Sequence, residues 1–218
     1  MKEDNPIEVL IAQGEHQRLD FKFEVSDSKK IARTLSAFAN TDGGRLLIGV
    51  KDNGNIAGVR SEEEYYMIEA ASTMYTKPSV HFTATRWEIN GKTVLEVYIA
   101  PSNSKPHTAP DKDDKYKAYI RVADENKPAN EVLLLSWKKK ESTEGLLFTL
   151  TRPVKKLLVY LDSHPHINIK QFCRIAHIKY YTARNILSDL IALDTIKYSM
   201  VDKQIVYSKA LKVKSGKL

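Results

Sequence analysis

The sequence lacks the residues and runs that mark several protein classes. Its 218 residues include one cysteine, Cys173, which excludes an internal disulfide framework and leaves no zinc motif. No stretch approaches the ~18–20 apolar residues that a membrane-spanning helix needs, and no G-x4-G-K-[ST] motif marks a P-loop nucleotide site. The N-terminal residues MKEDNPIEV carry acids, whereas a secretory signal has an apolar segment there. We therefore expect a cytoplasmic protein without a membrane partner.

Positive charge is concentrated at one end of the chain. Residues 142–218 contain 13 Lys and Arg against 5 Asp and Glu, whereas residues 1–141 contain 21 and 22. Such an asymmetry is typical of a module that meets a polyanion, joined to one that does not need to. The alternative is a solvated surface that keeps the protein in solution. The composition alone leaves both interpretations open, and the fold pattern predicted below for the C-terminal part favours nucleic acid as its partner.

A strand, a helix and a second strand are predicted near the N-terminus. Over 18–23, apolar residues alternate with charged ones, as in a half-buried strand. Apolar residues then recur at helical spacing over 29–40, preceded by Asp27 or Ser28 as a cap. A short apolar run over 46–50 is typical of a strand covered on both faces. This order predicts that the helix crosses between two strands.

The alternation of strands and helices continues to about residue 141. Asn90-Gly91 lies between two segments with strand character, which is a strong hairpin signal. The predicted elements are helices over 62–74 and 131–140 and strands over 80–88, 93–99 and 116–122. Together they indicate an α+β domain.

Three ordered motifs in this part of the chain carry a family resemblance. They are E-x4-D-F-K from Glu15, SAFANTDGGRLLIGVKDNGNIAGV over 36–59, and YIRVADENKPAN over 119–130. Together they resemble the Schlafen AlbA-type domain, which occurs in many prokaryotic proteins and is described as DNA-binding. The resemblance implies a mixed-sheet α+β fold and association with nucleic acid.

The same resemblance implies a second function for the acidic residues. Certain animal Schlafens cleave RNA with three acids and a metal ion, and the first two acids match Glu15 and Asp20 here. The third position falls at Lys51 or Asp52, so Asp52 completes the candidate set. Three carboxylates around Mg²⁺ or Mn²⁺ activate water for phosphodiester cleavage. The alternative is that these acids serve turns and surface ion pairs.

After the polar junction at 141–145, three helices and a hairpin are predicted. The helices begin near 153, 168 and 180, a short turn at His177-Ile178 joins the last two, and the strands cover 196–200 and 204–208. This order is typical of a winged helix-turn-helix, a fold pattern of many bacterial regulators. We therefore predict two domains, an AlbA-like domain over 1–141 and a small winged helix over 142–218.

The third of these helices supplies most of the candidate nucleic-acid contacts. Its spare residues are expected to be exposed, with Arg and Asn reading guanine and adenine edges and Lys and Tyr holding phosphates. The hairpin tip would reach the backbone or the minor groove. The candidates are Lys179, Tyr180, Thr182, Arg184, Asn185, Ser188, Lys203 and Gln204. The alternative is that a winged helix docks a protein or forms a dimer.

These patterns predict a DNA-binding protein that acts in transcriptional control and binds its site as a homodimer. The winged helix would contact DNA, and the AlbA-like domain would add nucleic-acid binding or oligomerisation. No cofactor and no enzymatic activity are expected for that function. Two alternatives stay open. One is a metal-dependent endoribonuclease that uses Glu15, Asp20 and Asp52 with Mg²⁺ or Mn²⁺ on RNA, and the other is a protein-interaction adaptor.

Overall fold

The structure, a computed structural model, describes residues 5–142, 148–202 and 204–210. The chain divides into two compact units, Met1–Ala129 and Asn130–Leu218, which we call the N-terminal and C-terminal units. The expected boundary at residue 141 differs from this division, because helix Glu131–Lys140 packs on helix Tyr180–Ala192 of the C-terminal unit. None of the described helices has both the length and the apolar character of a membrane span.

The N-terminal unit contains three helices and seven strands among its described residues. The helices are α1 (Pro6–Ala12), α2 (Ser28–Asn40) and α3 (Glu63–Met74). The strands are β1 (Leu19–Lys22), β2 (Gly44–Ile48), β3 (Thr83–Ile89), β4 (Lys92–Ile99), β5 (Thr108–Pro110), β6 (Tyr116–Val122) and β7 (Glu125–Pro128). The sequence pattern does not predict α1, β5 and β7, because elements of seven, three and four residues are too short to show a period.

A four-stranded sheet with the order β1-β2-β4-β3 forms the centre of this unit. Strands β1 and β2 are parallel, with α2 crossing between them as predicted. Strand β4 is antiparallel to both β2 and β3, and Asn90 and Gly91 turn the hairpin with positive φ angles of 52° and 74°. The expected mixed-sheet α+β class is therefore confirmed.

Helix α2 begins and ends at residues that the sequence marks. The Asp27 carboxylate accepts from the backbone N–H of Lys29 at 2.8 Å and so caps the first turn. After the helix, Gly43 has φ +69°, and a Cβ on it would lie 2.6 Å from the carbonyl oxygen of Ile99. Only glycine fits this close approach, which is what allows the chain to enter β2 directly.

Both faces of the central sheet are covered. One face packs on α2 and α3 through a cluster that includes Leu35, Phe38 and Leu46. The other face packs on α1 through Ile7 and Leu47. Because successive side chains of a strand point to opposite faces, neighbouring residues of β2 enter different clusters. Each such side chain stabilises the fold by about 1.5–3 kcal/mol when it is fully buried.

The second sheet, β5-β6-β7, is fastened to α2 by a buried polar network. The Asn40 amide donates to the carbonyls of His107 and Tyr119 at 2.7 and 2.8 Å, and its oxygen accepts from the His107 N–H at 2.8 Å. The His107 ring donates from Nδ1 to the Pro78 carbonyl and contacts the Ser102 hydroxyl through Nε2, both at 2.8 Å. Burial lowers the pKa of His107, so the neutral ring is the form that the fold favours.

The C-terminal unit consists of four helices and a hairpin over its described residues. They are α4 (Glu131–Lys140), α5 (Arg152–Ser163), α6 (Ile169–Ala176), α7 (Tyr180–Ala192), β8 (Ile196–Val201) and β9 (Gln204–Lys209). Its core unites the helices with the hairpin through residues such as Leu157, Phe172, Leu187 and Tyr207. The element order agrees with the sequence pattern, apart from α4, which packs along α7. The assignment of these elements as a winged helix stays a prediction.

Candidate functional site

The first two candidate acids of the N-terminal unit lie in a buried ion cluster. Asp20 of β1 is 3% exposed, and the fully buried guanidinium of Arg121 donates to its Oδ1 at 3.1 Å. Arg121 comes from β6 and also donates to Asn126 at 3.1 Å and to the Leu19 carbonyl at 3.3 Å. The Asp20 carboxylate is therefore neutralised from within the protein.

Glu15 lies beside Asp20 and completes this cluster. Its Oε1 accepts from the backbone N–H of Phe21 at 2.8 Å, which fixes the side chain against β1. Burial raises the pKa of Glu15, and the neighbouring Asp20 raises it further. The Lys22 ammonium lies 2.9 Å from the other oxygen of Asp20. Asp20 thus pairs with two cations, Lys22 and Arg121, and the Arg121 pair joins β1 to β6.

The third candidate acid, Asp52, does not join this cluster. It is exposed and lies in the tight turn after β2, where Lys51 and Asn55 are hydrogen-bonded through their backbones at 3.0 Å. Across the described ranges, 5–142, 148–202 and 204–210, no three His, Cys, Asp or Glu side chains group as a metal site would require. The nuclease alternative requires Glu15, Asp20 and Asp52 to converge, and the structure does not bring the three together. Asp52 is exposed in its turn, and Asp20 is ion-paired with Arg121.

Sequence reasoning missed Arg121, the residue that decides the character of the acidic cluster. The available signal was a charge inside the otherwise apolar part of the segment YKAYIRV. A charged residue that is fully buried needs a partner of opposite charge. The partner lies 101 residues away in sequence, so no local pattern identifies it.

In the C-terminal unit, the first turn of α7 presents an exposed polar and aromatic surface. Lys179 is the N-cap of the helix, and Lys179 and Thr182 are exposed. Tyr180 and Tyr181 are 51% and 64% exposed. Three of the predicted contacts, Lys179, Tyr180 and Thr182, are therefore exposed at the start of α7, and their contact with nucleic acid stays a prediction. Tyr181, which the sequence pattern does not single out, is also exposed and is the more exposed of the two tyrosines.

The remaining candidates on α7 are less accessible than expected. The Arg184 guanidinium is half-buried, donates to Glu131 at 3.1 Å and lies over the Tyr181 ring at 4.9 Å. Asn185 is also half-buried. Ser188 is fully buried, where its hydroxyl accepts from the Lys139 ammonium at 2.8 Å. The prediction that Ser188 is exposed is wrong, because α4 covers that side of α7.

Two candidates were expected at the tip of the hairpin. Gln204 begins β9 and is exposed. Lys203 lies outside the residues that the structure describes. Of the predicted contacts, the exposed ones are therefore Lys179, Tyr180 and Thr182 in the first turn of α7, with Gln204 on the hairpin.

A family model described as "Schlafen, AlbA_2" matches residues 15–130. The chain belongs to the Schlafen AlbA_2 family. The AlbA_2 domain thus covers the sheet and the buried cluster of Glu15, Asp20 and Arg121, and it suggests association with nucleic acid. The match ends at the junction of the two units, so α4 to β9 are outside the AlbA_2 domain.

Two solved structures are similar to 60% of this chain. The crystal structure of the DIP2311 protein from Corynebacterium diphtheriae is 22% identical with a TM-score of 0.43, and the chain covers 25% of its length. The solution structure of the N-terminal domain of an ATP-dependent DNA helicase RecG-related protein from Nitrosomonas europaea is 21% identical with a TM-score of 0.37, and 95% of that chain is covered. The chain thus spans a quarter of the Corynebacterium protein. A comparison with curated proteins gives no match.

Proposed function

We propose that this protein binds DNA through its C-terminal unit and acts in transcriptional control. In this proposal α5, α6 and α7 form the three helices of a winged helix-turn-helix, and β8 and β9 form its wing. The turn between α6 and α7 is short, with His177 in the left-handed conformation (φ 54°). Such a turn orients the second helix for docking into the major groove.

The exposed first turn of α7 is the observation that carries the proposal. It combines an exposed cation, Lys179, with three further exposed side chains, those of Tyr180, Tyr181 and Thr182. Lysine and tyrosine bind phosphates, while threonine and aromatic side chains contact base edges. The surface belongs to a region, 142–218, with 13 basic and 5 acidic residues. That excess favours a polyanionic partner.

The AlbA_2 domain has a supporting role in this proposal, as a further nucleic-acid contact or as an oligomerisation module. We propose a homodimer, because winged-helix regulators present two copies to one site. The geometry gives no support to the ribonuclease alternative. Asp20 is ion-paired with Arg121, and Asp52 is outside the pair.

Fluorescence anisotropy with a random-sequence DNA duplex and a matched RNA, at several salt concentrations, tests the proposal. We expect DNA binding that weakens steeply with salt, because binding releases counterions from the phosphates. Lys179→Ala should weaken binding and lower the salt slope by about 1, and Tyr181→Ala should weaken binding without changing the slope. The matched control is Lys112→Ala, at an exposed lysine of the N-terminal unit.

Equal losses in Lys179→Ala and Lys112→Ala would contradict the proposal, because they would indicate unspecific charge attraction. Preference for RNA with no effect of either α7 variant would move the interface to the AlbA_2 domain. Light scattering at micromolar concentration tests the dimer, and a monomer mass rejects it.

A further inference from the structure

Helix α5 has a second stripe of residues on the side away from the core. Val154, Leu157 and Leu161 are buried, whereas a different set of α5 residues lines an open groove of about 480 Å³. The groove residues from α5 are Arg152, Lys155, Lys156, Val159, Tyr160 and Ser163, and Ile175 of α6 closes the other side. Their spacing puts them on one helix face about 16 Å long. The groove therefore runs along three turns of α5.

One end of the groove carries positive charge that no described acidic residue neutralises. Arg152 and Lys155 are exposed, and neither forms an ion pair with any residue that the structure describes. The Lys156 ammonium donates to the Ile175 carbonyl at 3.2 Å and keeps its charge. The acid of α5, Asp162, pairs with Lys209 and does not line the groove. All charged side chains that line it are thus cationic.

The other end of the groove is apolar. Val159 is 67% exposed, the largest exposed fraction of any large apolar side chain in the described ranges. Tyr160 lies beside it, and its ring stacks on His164 with a centroid distance of 3.8 Å and an interplanar angle of 6°. The stack holds the tyrosine in place, so this part of the groove is preformed. Exposed valine beside a fixed ring offers an anchor site for an apolar side chain.

We propose that this groove docks an acidic amphipathic helix of a protein partner. Helices of that kind place apolar residues in a groove at spacings of i, i+3, i+4 and i+7, and their acids would meet Arg152, Lys155 and Lys156. Docking of this partner is a function separate from DNA binding, and the docking proposal does not depend on whether the protein binds DNA. A protein bound here would be a second binding partner in addition to DNA.

Two other occupants fit the groove less well. A second copy bound by the same face would set the three cations of each copy against one another. A DNA or RNA backbone would satisfy the cations but would leave Val159 and Tyr160 against charged phosphates, where apolar surface gains nothing. An occupant with acids at one end and apolar residues at the other satisfies both parts.

The test uses the full chain and two fluorescein-labelled helical peptides of about 15 residues, or four turns. The first has Glu and Leu arranged to match the groove, and the second has every Glu replaced by Gln. We expect the acidic peptide to bind more tightly than the neutral one. Lys155→Glu and Val159→Asp should each weaken it by about tenfold or more, since each removes a central contact. Lys170→Glu, at an exposed position of α6 outside the groove, should leave binding unchanged.

Both substitutions lie at exposed positions, so we expect both variants to fold. Urea unfolding checks that they do. No binding of the acidic peptide would overturn the proposal, as would an equal loss in Lys170→Glu. If Lys155→Glu and Val159→Asp weaken binding of a DNA duplex and not of the peptide, the groove is a nucleic-acid surface. If Val159→Asp converts a dimer to a monomer in light scattering, the occupant is a second copy. Either result rejects the partner helix.

Discussion

The two units of this protein use charged side chains in opposite ways. In the N-terminal unit, Arg121 and Asp20 are both buried and form an ion pair with each other. In the C-terminal unit, Arg152, Lys155 and Lys179 are exposed and form no ion pair among the described residues. Charge that is buried and paired specifies how strands come together, whereas charge left at the surface is available to a partner. A chain with a net charge of +7 therefore has to be judged by where its charges lie.

The comparison also bears on the meaning of a spacing motif. Glu15 and Asp20 have the spacing that the family resemblance connects with a metal site. In the structure the Glu15 carboxylate, from the segment before β1, lies beside the Asp20 carboxylate of β1, and Arg121 supplies positive charge to Asp20. The spacing thus fixes that the two acids meet, and a third residue decides what they do.

The largest effect is expected when the buried charge of the N-terminal unit is left without its partner. Arg121→Met should lower the free energy of unfolding by about 3–5 kcal/mol, because it removes the buried guanidinium that donates to Asp20 and leaves that buried carboxylate only the part-exposed Lys22 ammonium. Urea unfolding followed by Trp87 fluorescence in a Trp137→Phe background measures this unit. Arg86→Met, which removes an exposed ion pair with Glu62, is the control and should have a much smaller effect. Equal effects of the two variants would mean that the buried pair is dispensable.

Two asparagines, one in each unit, should give stability losses of intermediate size when they are replaced by alanine. Asn40→Ala removes four hydrogen bonds in the core of the N-terminal unit and should cost about 1–3 kcal/mol for each buried group left unpaired. Asn168→Ala removes the N-cap of α6, where Asn168 and Gln171 form a capping box, and should cost about 1 kcal/mol. Urea midpoints of the two variants give the ratio. If Asn168→Ala lost more unfolding free energy than Asn40→Ala, the helix cap would matter more to stability than the buried network, contrary to our expectation.

The smallest effect is expected from pH. Burial lowers the pKa of His107 from its ordinary value of 6.5, so below that pH the unfolded chain binds a proton that the folded chain resists. Stability from this group is complete above pH 6.5 and decreases as the pH falls through the lowered pKa. Urea midpoints between neutral and mildly acidic pH should show this decrease, and His107→Gln should reduce it. His166→Gln, in the C-terminal unit, is the control. If the urea midpoint of His107→Gln decreased with falling pH as much as that of the unsubstituted protein, the decrease could not be assigned to His107.

Local patterns predict much of the fold because its central elements are local. The cap at Asp27, the Gly43 exit from α2 and the Asn90-Gly91 hairpin are short-range signals with a physical cause, and the structure has all three. The strand–helix–strand order also fixes the parallel pairing of β1 with β2. By contrast, β5 and β7 are strands only because β6 lies between them, and their sequences show no period.

The site was harder to predict because accessibility depends on distant elements. Helical spacing alone leaves Ser188 on the free side of α7, but α4 packs there and Lys139 donates to its hydroxyl. The sequence pattern gives Arg184 of α7 no partner, but in the structure its guanidinium donates to Glu131, which also belongs to α4. Both differences follow from the packing of α4 on α7, which no local pattern shows. The domain boundary thus decides which residues of a helix can reach a partner.

The Asp20–Arg121 pair has a consequence for how the chain is made. The two residues are 101 positions apart, so at about 5–20 residues per second Arg121 is synthesised roughly 5–20 s after Asp20. During that interval β1, α2 and β2 exist without the cation that neutralises Asp20 and without the carbonyls that Asn40 binds. The strand–helix–strand segment therefore completes its packing only after β6 has left the ribosome, and the N-terminal half of the domain depends on its last strands to close.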